Sequence, residues 1–310
     1  MRYDMKELAS IHGVIPAMLT CFDDEGKFDA DRQRTLTRFL LSKRVDALYL
    51  TGSTGETFLM TERMRKACVE TVIDEVAGRI PVIVHVGDIG TDKSIDFARH
   101  AQAAGADAIS SVPPFYWKFS TDEIYQYYKD VSESVDIPMI VYNIALAGLV
   151  DFNTVKRLAS IENVKGIKYT ASTHYEILKI KREIGRDFAV YSGCDEMAMS
   201  GMSYGADGII GSFYNVVPEL FVNIVQAERA GDMELCRQLQ TQADAVISFV
   251  LEHHFFDCMK RMLTWAGHDA GTVLRPFHKM TEQEQLVARN GLRELRDSYR
   301  ITGCEVLDRL

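Results

Sequence analysis

The sequence predicts an α/β protein built as a closed (β/α)8 barrel with a helical extension at its C-terminal end. Eight short apolar runs recur roughly 20 to 35 residues apart, which is the spacing of successive strand–helix units. Continuous hydrophobic stretches such as Pro81 to Val84 indicate strands that are covered on both faces, as in a parallel sheet flanked by helices. Eight repeats without an obvious break favour the closed barrel, and an open α/β sheet is the alternative.

The predicted strands follow one another along the chain with amphipathic segments between them. They are Gly13 to Met18, Ala47 to Leu50, Pro81 to Val86, Ala108 to Val112, Pro138 to Tyr142, Val164 to Lys168, Phe188 to Ser192 and Gly208 to Gly211. Two of the intervening helices are expected to begin with a capping box, in which a hydroxyl accepts a backbone N–H and a glutamate reaches back. These boxes are predicted at Ser120 with Glu123 and at Thr173 with Glu176.

Beyond about residue 230 the strand signals stop. Asp232 to Leu251 and Thr281 to Ser298 have the pattern of helices. No Gly/Ser-rich or Pro-rich linker precedes them, so we expect them to pack on the barrel or on another subunit. We therefore predict a barrel over residues 1–230 and a helical extension over residues 231–310.

Composition restricts the class of protein. The chain has 310 residues, of which 47% are hydrophobic and 25% charged, a mixture typical of soluble globular proteins. The formal net charge of -9 argues against a general nucleic-acid surface, which requires clustered lysine and arginine. The N-terminus lacks a signal-like apolar core, and no later stretch approaches bilayer-spanning length. We expect a cytoplasmic protein with neither a nucleic-acid nor a membrane partner.

Neither cysteine nor histidine spacing indicates a metal. His253 and His254 are adjacent and so poorly placed to share one ion from a helix. The cysteines form no Cys-x-x-C pair, and we expect reduced thiols rather than disulfides or a zinc site. The six cysteines are Cys21, Cys68, Cys194, Cys236, Cys258 and Cys304.

Lys168 lies near the end of the sixth predicted strand. Strand alternation places Gly166, Lys168 and Thr170 on one face, and we expect Gly166 to leave room for the lysine stem. Removing an ammonium from water favours its neutral form, which alone can attack a carbonyl carbon to give a Schiff base. A lysine that reaches from a strand end to solvent is the alternative.

In a barrel of this kind, functional groups gather where the strands end and the loops to the helices begin. The loop Gly52 to Glu56 follows the second strand, and its amides, with the hydroxyls of Ser53 and Thr54, could bind a carboxylate or a phosphate. A plain structural turn is the alternative. Tyr142 ends the fifth strand at the same rim as Lys168, where its hydroxyl could relay protons or simply pack.

Aromatic and acidic groups complete the predicted rim. The fourth strand leads into the aromatic segment Pro113 to Phe119, which is typical of buried contact inside the barrel or at a subunit interface. Asp195 and Glu196 follow the seventh strand, where carboxylates can orient substrate hydroxyls or merely charge the first turn of a helix. Ser212 follows the eighth strand and adds a hydroxyl.

Five motifs occur together in an order typical of one family. They are Gly52-Ser53-Thr54-Gly55-Glu56, Tyr142-Asn143, Gly166-Ile167-Lys168, Gly193-Cys194-Asp195-Glu196 and Gly211-Ser212-Phe213-Tyr214-Asn215. Over about residues 11 to 230 the chain resembles the dihydrodipicolinate synthase and N-acetylneuraminate lyase superfamily of class I, Schiff-base aldolases. The resemblance implies a TIM barrel that handles pyruvate.

The resemblance also implies a role for each rim residue. Lys168 would form the imine with pyruvate without any cofactor, Tyr142 would shuttle protons, and Ser53 and Thr54 would hold the pyruvate carboxylate. Tyr116 matches a tyrosine contributed across a dimer interface, which would tie activity to oligomerisation. The usual assembly of the family implies a homotetramer arranged as a dimer of dimers. The residues implied to contact the sugar part of the substrate are Thr170, Gly193, Asp195, Glu196 and Ser212.

Within the superfamily the lyase branch fits better than the synthase branch. Synthases place an arginine after Tyr-Asn, and this arginine is missing here because Ile144 to Ala147 fills that interval. The two motifs that lyases carry after strands seven and eight are both present. We expect reversible cleavage of a 2-keto-3-deoxy sugar acid, first of all N-acetylneuraminate, to pyruvate and an aldehyde. Two features depart from the lyase pattern: Cys194 replaces a tyrosine, and the segment before Gly148 is shortened. Another 2-keto-3-deoxy sugar acid is therefore an alternative substrate. There are two further alternatives. One is the condensation of pyruvate with aspartate semialdehyde, as in 4-hydroxy-tetrahydrodipicolinate synthase, and the other is a pyruvate-binding paralogue without catalytic activity.

Overall fold

The computed structural model describes Leu8 and residues 11–310. Eight parallel strands form one sheet in the order β1-β8-β7-β6-β5-β4-β3-β2. All eight predicted runs are strands, and their ends differ from the prediction by at most two residues. The strands are β1 (Gly13–Pro16), β2 (Leu48–Leu50), β3 (Val82–His85), β4 (Ala108–Ser111), β5 (Met139–Ile144), β6 (Val164–Thr170), β7 (Ala189–Ser192) and β8 (Gly208–Gly211).

The sheet closes on itself between β1 and β2. Ala17 forms a parallel bridge with Tyr49. The N–H groups of Met18 and Asp46 donate to the carbonyls of Tyr49 and Val14 at 2.8 and 2.9 Å. These contacts join the two end strands of the sheet. The predicted (β/α)8 barrel is therefore confirmed, and the open sheet is the wrong alternative.

Helices separate consecutive strands and continue beyond the last one. Eight follow β1 to β8 in turn: α1 (Ala30–Leu41), α2 (Glu62–Val76), α3 (Thr91–Ala104), α4 (Thr121–Glu133), α5 (Phe152–Leu158), α6 (Tyr175–Glu183), α7 (Ala198–Ser203) and α8 (Pro218–Ala230). The extension contributes α9 (Met233–Leu251), α10 (Phe255–Trp265), α11 (Glu282–Ser298) and α12 (Glu305–Asp308). Both helices predicted in the extension are confirmed, and the side chains of Asp232 and Thr281 cap them.

One of the two predicted capping boxes is present. The Ser120 hydroxyl accepts the N–H of Glu123, and the Glu123 carboxylate accepts the N–H of Ser120 at 2.7 Å. The prediction at Thr173 is wrong, because the Thr173 hydroxyl and the Glu176 carboxylate both bond to the hydroxyl of Tyr169 at the end of β6. Helix α6 consequently begins without a side-chain cap.

Side chains fill the barrel, so the interior is a core rather than a channel. Successive residues alternate: Val14 and Ile209 pack among the helices, whereas Ile15 and Ile210 pack inside the barrel. In the part of the chain that the structure describes, no helix is both long enough and apolar enough to cross a bilayer.

The extension packs on the barrel beside β7. The Gln240 amide in α9 donates to the carbonyl of Asp195 at 3.1 Å, and its oxygen accepts the N–H of Met199 at 2.9 Å. Helix α9 thereby holds the turn that connects β7 to α7. The extension thus reaches the rim at which the sequence places the functional groups.

Candidate active site

Lys168 lies at the C-terminal end of β6, in register with Tyr142 of β5 and Tyr191 of β7. It is 4% exposed. Its Nζ lies 4.2 Å from the centre of the Tyr142 ring and 4.6 Å from that of Tyr49. Among the described residues no oxygen pairs with this amine, which contacts aromatic faces instead. The side chain as a whole is therefore enclosed at the end of the barrel.

The glycine that makes room for this lysine is Gly193, on the neighbouring loop. A Cβ at Gly193 would lie 3.2 Å from Cε of Lys168 and 1.9 Å from Oγ1 of Thr170. A Cβ at Gly166 would instead meet the carbonyl oxygen of Ala189 at 2.8 Å. The expectation for Gly166 is wrong, because its missing side chain lets β6 and β7 approach each other.

Tyr49, His85 and Tyr142 form an aromatic wall beside the amine. The Tyr142 ring centre lies 6.0 Å from those of Tyr49 and His85, edge to face in both cases. Burial lowers the pKa of His85 well below its ordinary value. Its Nδ1 lies 3.0 Å from the Thr51 carbonyl, and its Nε2 accepts the N–H of Val112, so the neutral ring carries its proton on Nδ1. Sequence reasoning missed His85, although a histidine that ends an apolar strand at this rim was a usable signal.

The loop after β2 brings hydroxyl groups toward the loop after β8. Ser53–Gly55 forms a single 3-10 turn, within which the N–H groups of Gly55 and Glu56 are bonded. The turn leaves the N–H groups of Ser53 and Thr54 unused. Oγ1 of Thr54 lies 2.7 Å from Oγ of Ser212. The predicted anion-binding groups therefore lie together, with Thr54 buried and Ser53 half-buried.

Glu56 joins the end of this loop to the extension. Its backbone is left-handed, with φ +58°, and its carboxylate accepts from Nζ of Lys260 at 2.6 Å and from the N–H of Leu274 at 2.7 Å. Lys260 also donates to the carbonyl of Thr272 at 2.6 Å. Burial raises the pKa of Glu56 and lowers that of Lys260, while each charge opposes the shift of the other. Sequence reasoning missed this pair, whose members are 204 residues apart.

Asp195 and Glu196 are adjacent in sequence but differ in environment. Oδ2 of Asp195 accepts the N–H of Phe213 at 2.9 Å, whereas its Oδ1 is buried without a hydrogen bond. Burial raises the pKa of Asp195 to about 6. Glu196 is exposed at the rim, and half-buried Thr170 holds a buried Oγ1 that also lacks a partner. The two carboxylates therefore cannot serve the same purpose.

Tyr116 lies away from this pocket in its own chain. It is 81% exposed, its ring packs edge to face on Trp117 with centres 4.8 Å apart, and its backbone φ is +80°. Burial inside the barrel is therefore the wrong reading for Tyr116 and Trp117. The subunit-interface alternative remains.

Fold and pocket together define a barrel enzyme with a buried lysine where its strands end. The sequence profile described as the dihydrodipicolinate synthetase family matches residues 10–295, and the chain belongs to this family. The resemblance that five motifs predicted is thereby confirmed, and the match continues into the extension.

Named relatives agree with this assignment. N-acetylneuraminate lyase of Citrobacter koseri is 37% identical over 277 residues, which cover 88% of this chain and 93% of the relative. Among solved structures, a catalytic lysine mutant of Ruminococcus gnavus sialic acid aldolase gives a TM-score of 0.90 at 29% identity, covering 94% of this chain and 98% of that one. CdNal from Clostridium difficile, solved in complex with mannosamine, gives 0.89 at 29% identity, covering 93% and 99%.

Proposed function

We propose that this chain is a class I, pyruvate-dependent aldolase that reversibly cleaves N-acetylneuraminate to pyruvate and a sugar aldehyde through an imine on Lys168. The observation that carries the proposal is the buried Lys168 amine, which has no oxygen partner among the described residues and lies where the strands end. Its family and its relatives make the chain a carbon–carbon lyase. The lyase of Citrobacter koseri and the aldolase of Ruminococcus gnavus support the substrate.

The proposed reaction begins when the Lys168 nitrogen attacks the keto carbon. The carbinolamine loses water to give a protonated imine, and the C3–C4 bond then breaks as its electron pair flows toward the imine nitrogen. The C4 hydroxyl loses its proton and becomes the aldehyde, the resulting enamine is protonated at C3, and water releases pyruvate and the free amine. Tyr142, whose ring lies 4.2 Å from Nζ, would relay these protons. No cofactor is required.

Two groups of polar atoms would hold the substrate. The N–H groups of Ser53 and Thr54, with the hydroxyl of Thr54, would bind the carboxylate. The Ser212 hydroxyl, which pairs with that of Thr54, would contact the sugar. Gly193, against which the Thr170 hydroxyl and the Lys168 stem pack, would contact the sugar. The sugar hydroxyls would also contact Glu196 at the rim, Oγ1 of Thr170 and Oδ1 of Asp195, and the last two atoms have no hydrogen-bond partner.

We further propose a cytoplasmic homotetramer, a dimer of dimers, in which Tyr116 reaches into the site of a partner subunit. The exposed, left-handed Tyr116 and the exposed Trp117 support this arrangement, and the six free cysteines support the location. Within each subunit, residues 1–230 would carry the chemistry. The extension over residues 231–310 would support it through Lys260.

Imine trapping tests the proposal directly. Incubation with pyruvate and borohydride should attach a reduced pyruvate to Lys168, identified by peptide mass mapping. Lys165 lies on the same strand but is exposed, so Lys165→Met should still be trapped whereas Lys168→Met should not. An unmodified wild-type chain would contradict the mechanism.

A substrate panel scored by pyruvate release then tests specificity. N-acetylneuraminate should be cleaved faster than other 2-keto-3-deoxy sugar acids. Faster cleavage of another acid would keep the mechanism and change the substrate. Pyruvate consumption that requires aspartate semialdehyde would indicate the synthase reaction, and trapping without any turnover would indicate a pyruvate-binding paralogue.

A further inference from the structure

Two imidazoles and a carboxylate meet on the surface where α10 and α11 begin. His254 immediately precedes α10, His278 lies in the segment between the helices, and Glu284 lies in the first turn of α11. Nε2 of His254 is 3.4 Å from Oε1 of Glu284, and Nε2 of His278 is 3.0 Å from Oε2. The two histidines are exposed and the glutamate is half-buried. None of these three residues has a role in the proposed cleavage.

The spacing of these atoms suits a small metal ion. One ligand atom from each residue can be chosen so that all three lie within 4.8 Å of one another. A tetrahedral zinc ion with bonds of about 2.0 to 2.1 Å needs ligand atoms about 3.3 Å apart. The two measured distances are near this value but end on different oxygens of Glu284, so side-chain rotation has to bring one oxygen within reach of both imidazoles.

Glu284 is held in place for such a role. Its Oε2 accepts the N–H and the hydroxyl of Thr281 at 2.7 and 2.9 Å, which fixes the carboxylate by the hydrogen bonds of the capping box. Outer hydrogen bonds of this kind orient the carboxylate ligands of metal sites.

We propose that His254, His278 and Glu284 form a binding site for Zn²⁺ or a metal ion of similar preference, with the remaining coordination position open to water. Two imidazole nitrogens and one carboxylate oxygen are donors that favour zinc over magnesium or calcium. The bound ion connects the beginnings of α10 and α11 through residues far apart in sequence. Because the unfolded chain does not hold the three residues together, the ion stabilises the folded state.

Zinc titration of the full chain, in competition with a chromogenic zinc indicator, measures the affinity. We expect one zinc ion per wild-type chain and at least tenfold weaker binding in His254→Asn and in His278→Gln. Asparagine suits position 254 because the backbone there is left-handed, with φ +56°. The matched control is His253→Gln: this neighbouring histidine stacks on Phe249 and lies outside the cluster, so its loss should leave the affinity unchanged.

Two further measurements separate this site from the thiols. Zinc should raise the melting temperature of wild type and of His253→Gln but not of the doubly substituted His254→Asn, His278→Gln chain. Cobalt should bind wild type without the intense near-ultraviolet band of thiolate ligation. Equal zinc affinity in wild type and the double variant, or a thiolate band that persists in both, would overturn the proposal.

Discussion

Lys168 and Lys260 are both buried, yet their amines have opposite surroundings. Lys260 is paired with Glu56 at 2.6 Å and bonded to the carbonyl of Thr272. Lys168 lies against the rings of Tyr49 and Tyr142 and has no oxygen partner among the described residues. A buried charge that is fully paired has a structural role. A buried amine without a partner costs stability, and its nitrogen is free to react.

Lys260 bonds to the same loop that carries Thr54. Thr54 faces the pocket and bonds to Ser212, while Glu56, two residues later, turns away from the pocket to meet Lys260. Lys260 in the extension therefore holds the end of this loop through Glu56. Variants at these positions should separate loss of activity from loss of stability.

Lys168→Met should have the largest effect, and that effect should be on rate alone. Loss of the nucleophile should lower the cleavage rate by at least about 10⁴-fold. The melting temperature should not fall, since the amine has no oxygen partner to lose. Pyruvate release and thermal unfolding measure the two quantities. Lys165→Met, at an exposed site on the same strand, should keep the rate within about twofold.

Lys260→Met should show the opposite pattern. It leaves the Glu56 carboxylate buried and unpaired, so the free energy of unfolding should fall by about 3 to 5 kcal/mol. Adding Glu56→Gln should recover part of this loss, because the unpaired charge is then gone. Urea unfolding measures both variants. An exposed ion pair contributes up to about 1 kcal/mol. If the free energy of unfolding of Lys260→Met falls by less than this, Lys260 does not have the structural role that distinguishes it from Lys168.

Asp195 extends the comparison to a buried carboxylate that lacks the ammonium partner of Glu56. Folding raises its pKa from 3.8 to about 6, so the native state keeps a proton that the unfolded chain releases. The resulting stabilisation is complete below pH 3.8 and is lost as the pH rises through 6. Relative to Asp195→Asn, wild type should lose about 2 to 3 kcal/mol over this interval. Urea unfolding of both proteins at successive pH values measures the difference, and parallel pH curves would contradict it.

Thr54→Val should have the smallest effect. It removes a hydroxyl that bonds to Ser212 and that we propose binds the substrate carboxylate, so kcat/KM should fall about tenfold. Thr57→Val is the matched control, because the Thr57 hydroxyl lies buried on the same loop without any partner. Steady-state kinetics with both variants checks this, and equal losses would assign the effect to loop packing instead.

The sequence determined by itself the barrel, the strand that carries Lys168 and the rim at which the polar loops gather. Apolar run length, repeat spacing and strand alternation are local properties, and parallel strands bring their carboxyl ends to one edge. These local rules also placed Ser53, Thr54, Tyr142, Glu196 and Ser212 at that edge.

Only the tertiary structure decided what surrounds the amine. Gly193 rather than Gly166 makes room for Lys168, and His85 completes the aromatic wall. Asp195 is buried while Glu196 faces solvent, and Glu56 pairs with Lys260 across 204 residues. These relations depend on which loops meet when the barrel closes. Sequence periodicity places a side chain on a face, but long-range packing decides which atom it touches.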